Sequence, residues 1–545
     1  MLLILIFILA LAPRLWCFFH NQMPQGDAGN ILDVGRNLAK GRGYVTYAKW
    51  DFYGEPGPVV HPEGNRQPLV PLVAAATFAL GADTPAPTRV ITLVASLAAL
   101  ALLYILLRRW LGAGLALAGV AVAAVEPAFL WFSSRVQPEA YFALLLFAAL
   151  AAAGDFERER PSLIRPLFVG VLLSLAYLCR LNGALLLVAY VVTLFVVYRR
   201  KGFAPAAIAL SAFAVVATPW WIRNGRAFGD PFYSQAKYFI IAPTYDQIWA
   251  VKRYVPTWSG FFASYDFFGL IGRYARGLGR ALEPLLVGNL SAAEPYQAAP
   301  LVAFFALAVV AVPLLKRRRA LLFPALALLA SILGLAICNV GLFRYLTPFY
   351  VLIIPLGVAG VSRVAGLFER RRGWVAAALV VILLLPFVKP LAKTLKQDDR
   401  AQYEQLLEVA TWLNERTEPD DVVVTWPRVI QLLYRYDRPS LYWPGGGIRE
   451  ALAVLTEYDA RYAVAEPVAL SLRPNLSALW YKGYTGLRKV PTDVSESRLT
   501  IVRVDYGGEA FKQAFCPEDS DVIVYEIDQA KLRSTVYGAY LAGAK

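Results

Sequence analysis

Residues 1–30 read MLLILIFILALAPRLWCFFHNQMPQGDAGN. Residues 1–19 are apolar for long enough to cross the hydrocarbon of a bilayer. One acidic residue, Asp27, follows just past the end of this segment. An ionisable group at a membrane boundary calls for either a chemical role or a helix-capping role. The segment has no basic start, carries Arg14 late, and meets only a poor cleavage site at Pro24-Gln25-Gly26, so it reads as a retained first helix and not as a signal peptide.

Ten more apolar stretches follow, giving candidate spans at about 1–19, 88–107, 112–131, 138–154, 164–180, 182–198, 204–222, 299–315, 320–339, 345–364 and 373–390. Residues 68–80 are apolar but short, and read as a re-entrant or interfacial piece. With the N-terminus inside, every strong basic run falls on one side: Arg108-Arg109, Arg158 with Arg160 and Arg165, Arg199-Arg200-Lys201, Lys316-Arg317-Arg318-Arg319 and Arg370-Arg371-Arg372. This is the positive-inside pattern. It leaves 20–87, 223–298 and everything from about 391 outside.

Composition agrees with this layout. The chain has 545 residues, is 58% hydrophobic and only 17% charged. That excludes an ordinary soluble domain. The net charge of +15 sits in short loops, where it sets orientation and does not suggest nucleic acid. The four cysteines are far apart, so neither a disulfide framework nor a metal spacing is present. With His20 and His61 as the only histidines, a His-built zinc site is not expected.

The expected organisation is a membrane unit at 1–390 and an extracytoplasmic α/β unit at 391–545. In the latter, Gln402 to Arg416 and Val429 to Tyr436 read as helices. Residues 421–425, 461–464 and 521–527 read as strands. Pro444-Gly445-Gly446-Gly447 lacks the strand-to-helix context of a dinucleotide fingerprint and reads as a turn. Trp412, Trp426, Trp443 and Trp480 are either core residues or a platform for sugar rings.

Several charged residues fall on the outer side of the predicted spans. Asp27 opens a short predicted helix and reads as an N-cap or as a general base. Glu139 follows Pro138 at the outer start of a span, where backbone and dipole preferences alone account for it. Arg66, Arg180 and Arg344 stand at the same level, on the face where the positive-inside rule expects few cations. They either snorkel to head groups or hold phosphate oxygens. Glu126, late in an apolar span, faces a polar cavity or a basic partner.

These segments, in this order, resemble the GT-C membrane glycosyltransferases, in the branch of the protein O-mannosyltransferases and lipid A aminoarabinose transferases. The resemblance covers about 1–365. It rests on Asp27 followed by Gly41-Arg42-Gly43-Tyr44, on Arg66-Gln67-Pro68-Leu69, on Glu139, and on Cys179-Arg180-Leu181-Asn182-Gly183. Pro219-Trp220-Trp221-Ile222-Arg223-Asn224 through Phe228-Gly229 and Arg344-Tyr345-Leu346 with Pro348 complete it. Asp27 is followed by Ala where the family pairs two acids, and the first proline after Arg66 is lost. The resemblance implies a GT-C type polytopic α-helical membrane protein of about eleven transmembrane helices with a C-terminal extracytoplasmic α/β domain. The implied setting is a bacterial or archaeal plasma membrane with the N-terminus cytoplasmic.

It also implies an inverting glycosyltransferase that takes a sugar from a polyprenyl-phosphate lipid to a hydroxyl on a protein, lipid or glycan acceptor. Asp27 and Glu139 would be catalytic, and Arg66, Arg180 and Arg344 would bind the donor phosphate. Tyr44, Trp220, Arg223 and Asn224 would serve the acceptor and its loops. No cofactor is implied, and a divalent metal is not favoured. A glycan ligase with a pyrophosphate-linked donor and a lipid-linked sugar transporter are the alternatives, the latter disfavoured because no paired repeat stands out.

Overall fold

The computed structural model describes residues 2–534, leaving out 25–26, 55, 155, 158, 160, 243–247, 249, 252–253, 288–300, 316–317, 339–342, 369–370, 426–431, 433, 446–447, 466–510 and 516–522. Trp426, Trp480 and half of 429–436 therefore lie outside the described residues, as do Arg158, Arg160, Lys316, Arg317 and Arg370 of the basic loops.

The first helix is α1 (Leu2–His20). Beyond it come α2 (Ala28–Ala39), the short strands β1 (Val45–Thr46), β2 (Ala48–Lys49) and β3 (His61–Pro62), and α3 (Leu69–Ala79). A run of apolar helices then follows: α4 (Ala86–Leu111), α5 (Ala113–Ala124), α6 (Pro127–Ser133), α7 (Pro138–Ala153), α8 (Ile164–Cys179), α9 (Gly183–Tyr198) and α10 (Phe203–Phe228). The second outer segment holds α11 (Lys237–Ile241), α12 (Trp258–Ala263) and α13 (Phe267–Val287), and the helical part closes with α14 (Val302–Ala311), α15 (Leu322–Cys338), α16 (Thr347–Ala365) and α17 (Arg372–Lys396). The eleven predicted segments all fall on helices.

Among the described residues, five stretches are long and apolar enough to cross a membrane, and α5 with α6 forms a sixth that is bent by 69°. One of the five, Gly183–Phe228, is 46 residues long. At 1.5 Å per residue a straight helix of that length would reach about 70 Å, more than twice a hydrocarbon core. It is in fact folded at a turn over Arg199–Gly202, where Arg199 has φ +50°.

The predicted span at 112–131 is broken by the bend between α5 and α6. Glu126 sits at the N-cap of α6 and its carboxylate accepts from the backbone N–H groups of Ala128 and Phe129. Pro127 occupies the first helical position, where its missing N–H costs nothing. Glu126 is therefore buried as a cap. The membrane-type helices pack backbone to backbone in places. A methyl group at Gly360 of α16 would lie 2.0 Å from the Leu307 carbonyl of α14, so only glycine permits that crossing.

The tail contributes α18 (Arg400–Arg416), β4 (Val423–Thr425), β5 (Ser440–Tyr442), α19 (Ile448–Glu457), β6 (Tyr462–Ala465), β7 (Phe511–Phe515), β8 (Ile523–Ile527) and α20 (Gln529–Ser534). The helix expected over Val429 to Tyr436 is not continued in its described end, where Tyr434 to Asp437 form a turn. The sheet has six strands in the order β2-β5-β4-β6-β8-β7. Strands β2, β5, β4 and β6 run parallel, and β8 is antiparallel to β6.

The edge strand β2 comes from the first outer segment, pairing Ala48 with Ser440 and Lys49 with Leu441. One apolar core joins that segment (Met23, Trp50), the second outer segment (Ile248) and the tail (Leu406, Leu413, Val423). Trp443 is fully buried and its indole N–H donates to the Val464 carbonyl, while Trp412 packs edge-on to Tyr462. Both belong to that packing and form no open platform.

Candidate active site

Asp27 stands at the start of α2, in the position of an N-cap, but its side chain makes no capping bond. Instead Oδ1 lies 2.9 Å from Nη2 of Arg66 and Oδ2 lies 2.8 Å from Nη2 of Arg344. Both carboxylate oxygens are thus committed to guanidiniums. The sequence offered capping and chemistry as alternatives for Asp27. The structure rejects the first, because a cap would have to turn these oxygens toward the α2 amides. Burial raises the Asp27 pKa, but Arg344, Arg66 and Arg180 outweigh it and hold the carboxyl down at about 2.

Each arginine is brought there by a different element. Arg66 lies in the turn between β3 and α3. The Glu63 carboxylate accepts from the backbone N–H of Asn65 and of Arg66, and this fixes the turn. Arg344 sits on a single 3₁₀ turn, Phe343–Leu346, that leads into α16. Arg180 is the extended residue that caps α8. Its guanidinium bonds to Glu139 and rests 4.0 Å above the ring of Tyr345. Glu139 is fully buried on the first turn of α7. The second Glu139 oxygen has no hydrogen-bond partner among the described residues.

Asp27, Arg66, Arg180 and Arg344 line one cavity of about 130 Å³. Glu139 stands behind it, reached through Arg180. Three guanidiniums against two carboxylates leave the site with one excess positive charge. Such a cavity suits a singly charged phosphodiester, whose oxygens can replace the Asp27 carboxylate on the fork of Arg66 or Arg344.

Tyr44, Trp220, Arg223 and Asn224 do not line this cavity. They hold the loop that carries Arg66. The Tyr44 hydroxyl donates to the Arg66 carbonyl at 2.9 Å. Arg223 donates to the carbonyls of Glu63 and Tyr44, each at 2.7 Å, and lies over the rings of Tyr44, Trp220 and Phe228. Asn224 donates to the Tyr233 carbonyl. These four side chains are occupied in cross-bracing the loop.

Other residues of the wall were not anticipated. Trp50, Asn30, Phe239 and Tyr442 line the cavity. The Tyr442 hydroxyl lies 3.3 Å from Oδ1 of Asn30. Tyr442 ends strand β5, so the tail supplies part of the wall. Only the pairing of β5 with β2 brings residue 442 beside residue 30, and no local sequence pattern signals that. Among the described residues, no group of three or more His, Cys, Asp or Glu side chains could hold a metal ion.

Residues 60–222 match the family model described as dolichyl-phosphate-mannose-protein mannosyltransferase. No curated protein matches the sequence. Among solved structures, ArnT from Cupriavidus metallidurans in the apo state superposes with a TM-score of 0.56 at 14% identity, covering 97% of this chain and 98% of that one. The same protein bound to undecaprenyl phosphate gives 0.53 at 15% identity, over 87% and 94%. The archaeal oligosaccharyltransferase AglB from Archaeoglobus fulgidus, in complex with an inhibitory peptide and a dolichol-phosphate, gives 0.54 at 13% identity, over 96% and 74%. The chain thus has the fold of the GT-C membrane glycosyltransferases, and residues 60–222 carry the mannosyltransferase family's sequence pattern.

Proposed function

We propose that this protein transfers a sugar from a polyprenyl-phosphate lipid to an acceptor hydroxyl on the extracytoplasmic face of the membrane, with inversion. The observation that carries this reading is the Asp27 carboxylate held between Arg66 and Arg344 on the wall of a cavity that Arg180 also lines. In this reading the eleven segments each cross the membrane, the N-terminus is cytoplasmic, and the outer segments and tail lie on the side of the site.

The acceptor oxygen attacks the anomeric carbon. The bond from that carbon to the phosphate oxygen breaks, and the electron pair leaves on the lipid phosphate. Arg66, Arg180 and Arg344 offset the charge that grows there, in a site of low dielectric where fixed cations act strongly. Asp27 receives or orients the acceptor proton. A carboxyl held at a pKa of about 2 is a poor base. Donor phosphate that draws Arg66 and Arg344 away restores its basicity, so the donor prepares the base. Charge balance favours a monophosphate donor: a pyrophosphate group brings more negative charge than the single excess cation matches. Activity that vanishes with a chelator and returns with manganese would reverse that choice in favour of a glycan ligase.

The test is transfer from a radiolabelled polyprenyl-phosphate sugar in membranes. The Asp27→Asn variant keeps the shape and should lose at least about 100-fold in rate. Full transfer by this variant removes Asp27 from the mechanism.

A further inference from the structure

A second polar cavity, of about 220 Å³, lies away from the Asp27 site. It is lined by Phe156, Glu157, Ser162, Arg165, Tyr190 and Tyr198, between the end of α7, the start of α8 and α9. This is the side on which the basic loops fall. Arg165 lines it with a guanidinium that makes no hydrogen bond or ion pair with any described residue. Its place is reserved by Gly154, which ends α7 with φ +77°. A methyl group at Gly154 would stand 1.9 Å from Nη1 of Arg165. Tyr190 is only 1% exposed, and its hydroxyl meets no partner among the described residues.

The sixteen-residue helix α8 begins at Ile164 beside the same cavity, adding the positive dipole end of a helix start, although the Arg165 N–H there already donates to the Ser162 hydroxyl and Pro166 has none to give. Among the described lining residues the one acid is Glu157, at the exposed mouth, whose carboxylate accepts from the Arg319 backbone N–H. Ile164 and Phe168 stand 68% and 58% exposed on α8 next to the cavity, an apolar surface with no protein against it.

We propose that this cavity holds the head group of a zwitterionic aminophospholipid of the inner leaflet. The phosphate takes the Arg165 guanidinium and the Tyr190 hydroxyl, at the positive end of α8. The ammonium turns to Glu157, and the acyl chains run along Ile164 and Phe168. Among the described lining residues, one guanidinium and one carboxylate complement one phosphodiester and one ammonium. A purely anionic head group would set a second negative charge toward Glu157. A quaternary amine has no N–H to donate to it.

The experiment is native mass spectrometry of the full chain exchanged into vesicles of phosphatidylethanolamine, phosphatidylglycerol or phosphatidylcholine, with free phosphoethanolamine as the soluble arm. The expected result is retention of phosphatidylethanolamine at least about tenfold above the other three, the scale of one charge-assisted hydrogen bond. Arg165→Gln and Gly154→Ala should abolish that retention, and Tyr190→Phe, which removes one hydroxyl and no packing, should lower it. Glu157→Gln should keep phosphate binding and erase the preference over phosphatidylcholine. Equal retention by Arg165→Gln, equal binding of phosphatidylglycerol, or equal binding of free phosphoethanolamine would each overturn the proposal.

Discussion

Asp27 and Asp33 belong to the same short helix, one at its start and one inside it, yet their surroundings drive them apart. Asp27 has three guanidiniums within electrostatic reach and is held at about 2. Asp33 has only neutral donors, from Asn37, Thr46 and the Tyr47 backbone, and burial pushes it up to about 7. Glu139 shows the third outcome, a buried carboxylate whose worth lies in its one ion pair with Arg180. Glu139→Gln would leave the Arg180 cation buried without its counter-charge. Loss of one partner of such a pair costs about 3–5 kcal/mol. A fall in thermal midpoint in detergent, with weaker donor binding, is the expected result; an unchanged midpoint would mean that Arg180 finds another anion. The outer carboxylates and arginines were visible in the sequence because each interrupts or ends an apolar run on the same side. Their pairing was not visible, since nothing local says that Arg344 and not Arg180 reaches Asp27.

Helix α2 does two jobs as an element. Its first residues present Asn30 to the cavity, and its middle holds the turn that starts β2 through Asp33. This clasp titrates. Asp33 keeps its proton in the folded protein up to about pH 7, whereas an unfolded chain releases it near pH 4. The folded state therefore binds more protons between these values, and stability falls as pH rises from about 4 to about 7, then levels off. Thermal melting of wild type and Asp33→Asn across that range measures it: the difference between the two should vary with pH inside the window and not above it. Parallel curves would remove Asp33 as the cause. Elements of the membrane part were legible because apolar length is a strong signal. The α5–α6 bend was missed because Glu126 was read as a charge in need of a partner, when backbone N–H groups satisfy it. The strands β5 and β7 were missed because three to five residues carry too little alternation to read.

The molecule as a whole is tied together by contacts that are remote in sequence. Asp437 of the tail, at φ +56°, takes Arg36 at 3.6 Å and Arg42 at 3.0 Å, and also Lys40, all from α2 and the loop after it. These groups are partly solvated, so each pair is worth only about 0.2–1 kcal/mol. Their joint effect is to seat β5 against β2. Asp437→Asn tolerates the same backbone and leaves three cations facing one another. Faster hydrogen exchange at Ser440 to Tyr442 and a raised KM for donor are expected, with little change in the melting of the apolar helices. Unchanged exchange would place the seating in the sheet alone. The change from apolar helices to a mixed helix-and-strand tail was legible from composition. The sharing of one sheet and one core between them was not, because composition reports what a segment buries and not which segment it buries it against.

The parallel pairing of Ala48 with Ser440 also sets a clock on biosynthesis. A ribosome that has released the first outer segment must add roughly 390 more residues before its partner strand exists, a wait of about 20–80 s at 5–20 residues per second. Throughout that interval the nascent protein has its carboxylate and its first arginine but lacks the tyrosine that closes their enclosure. A truncated translation product would therefore sit in the membrane with that wall of the cavity missing.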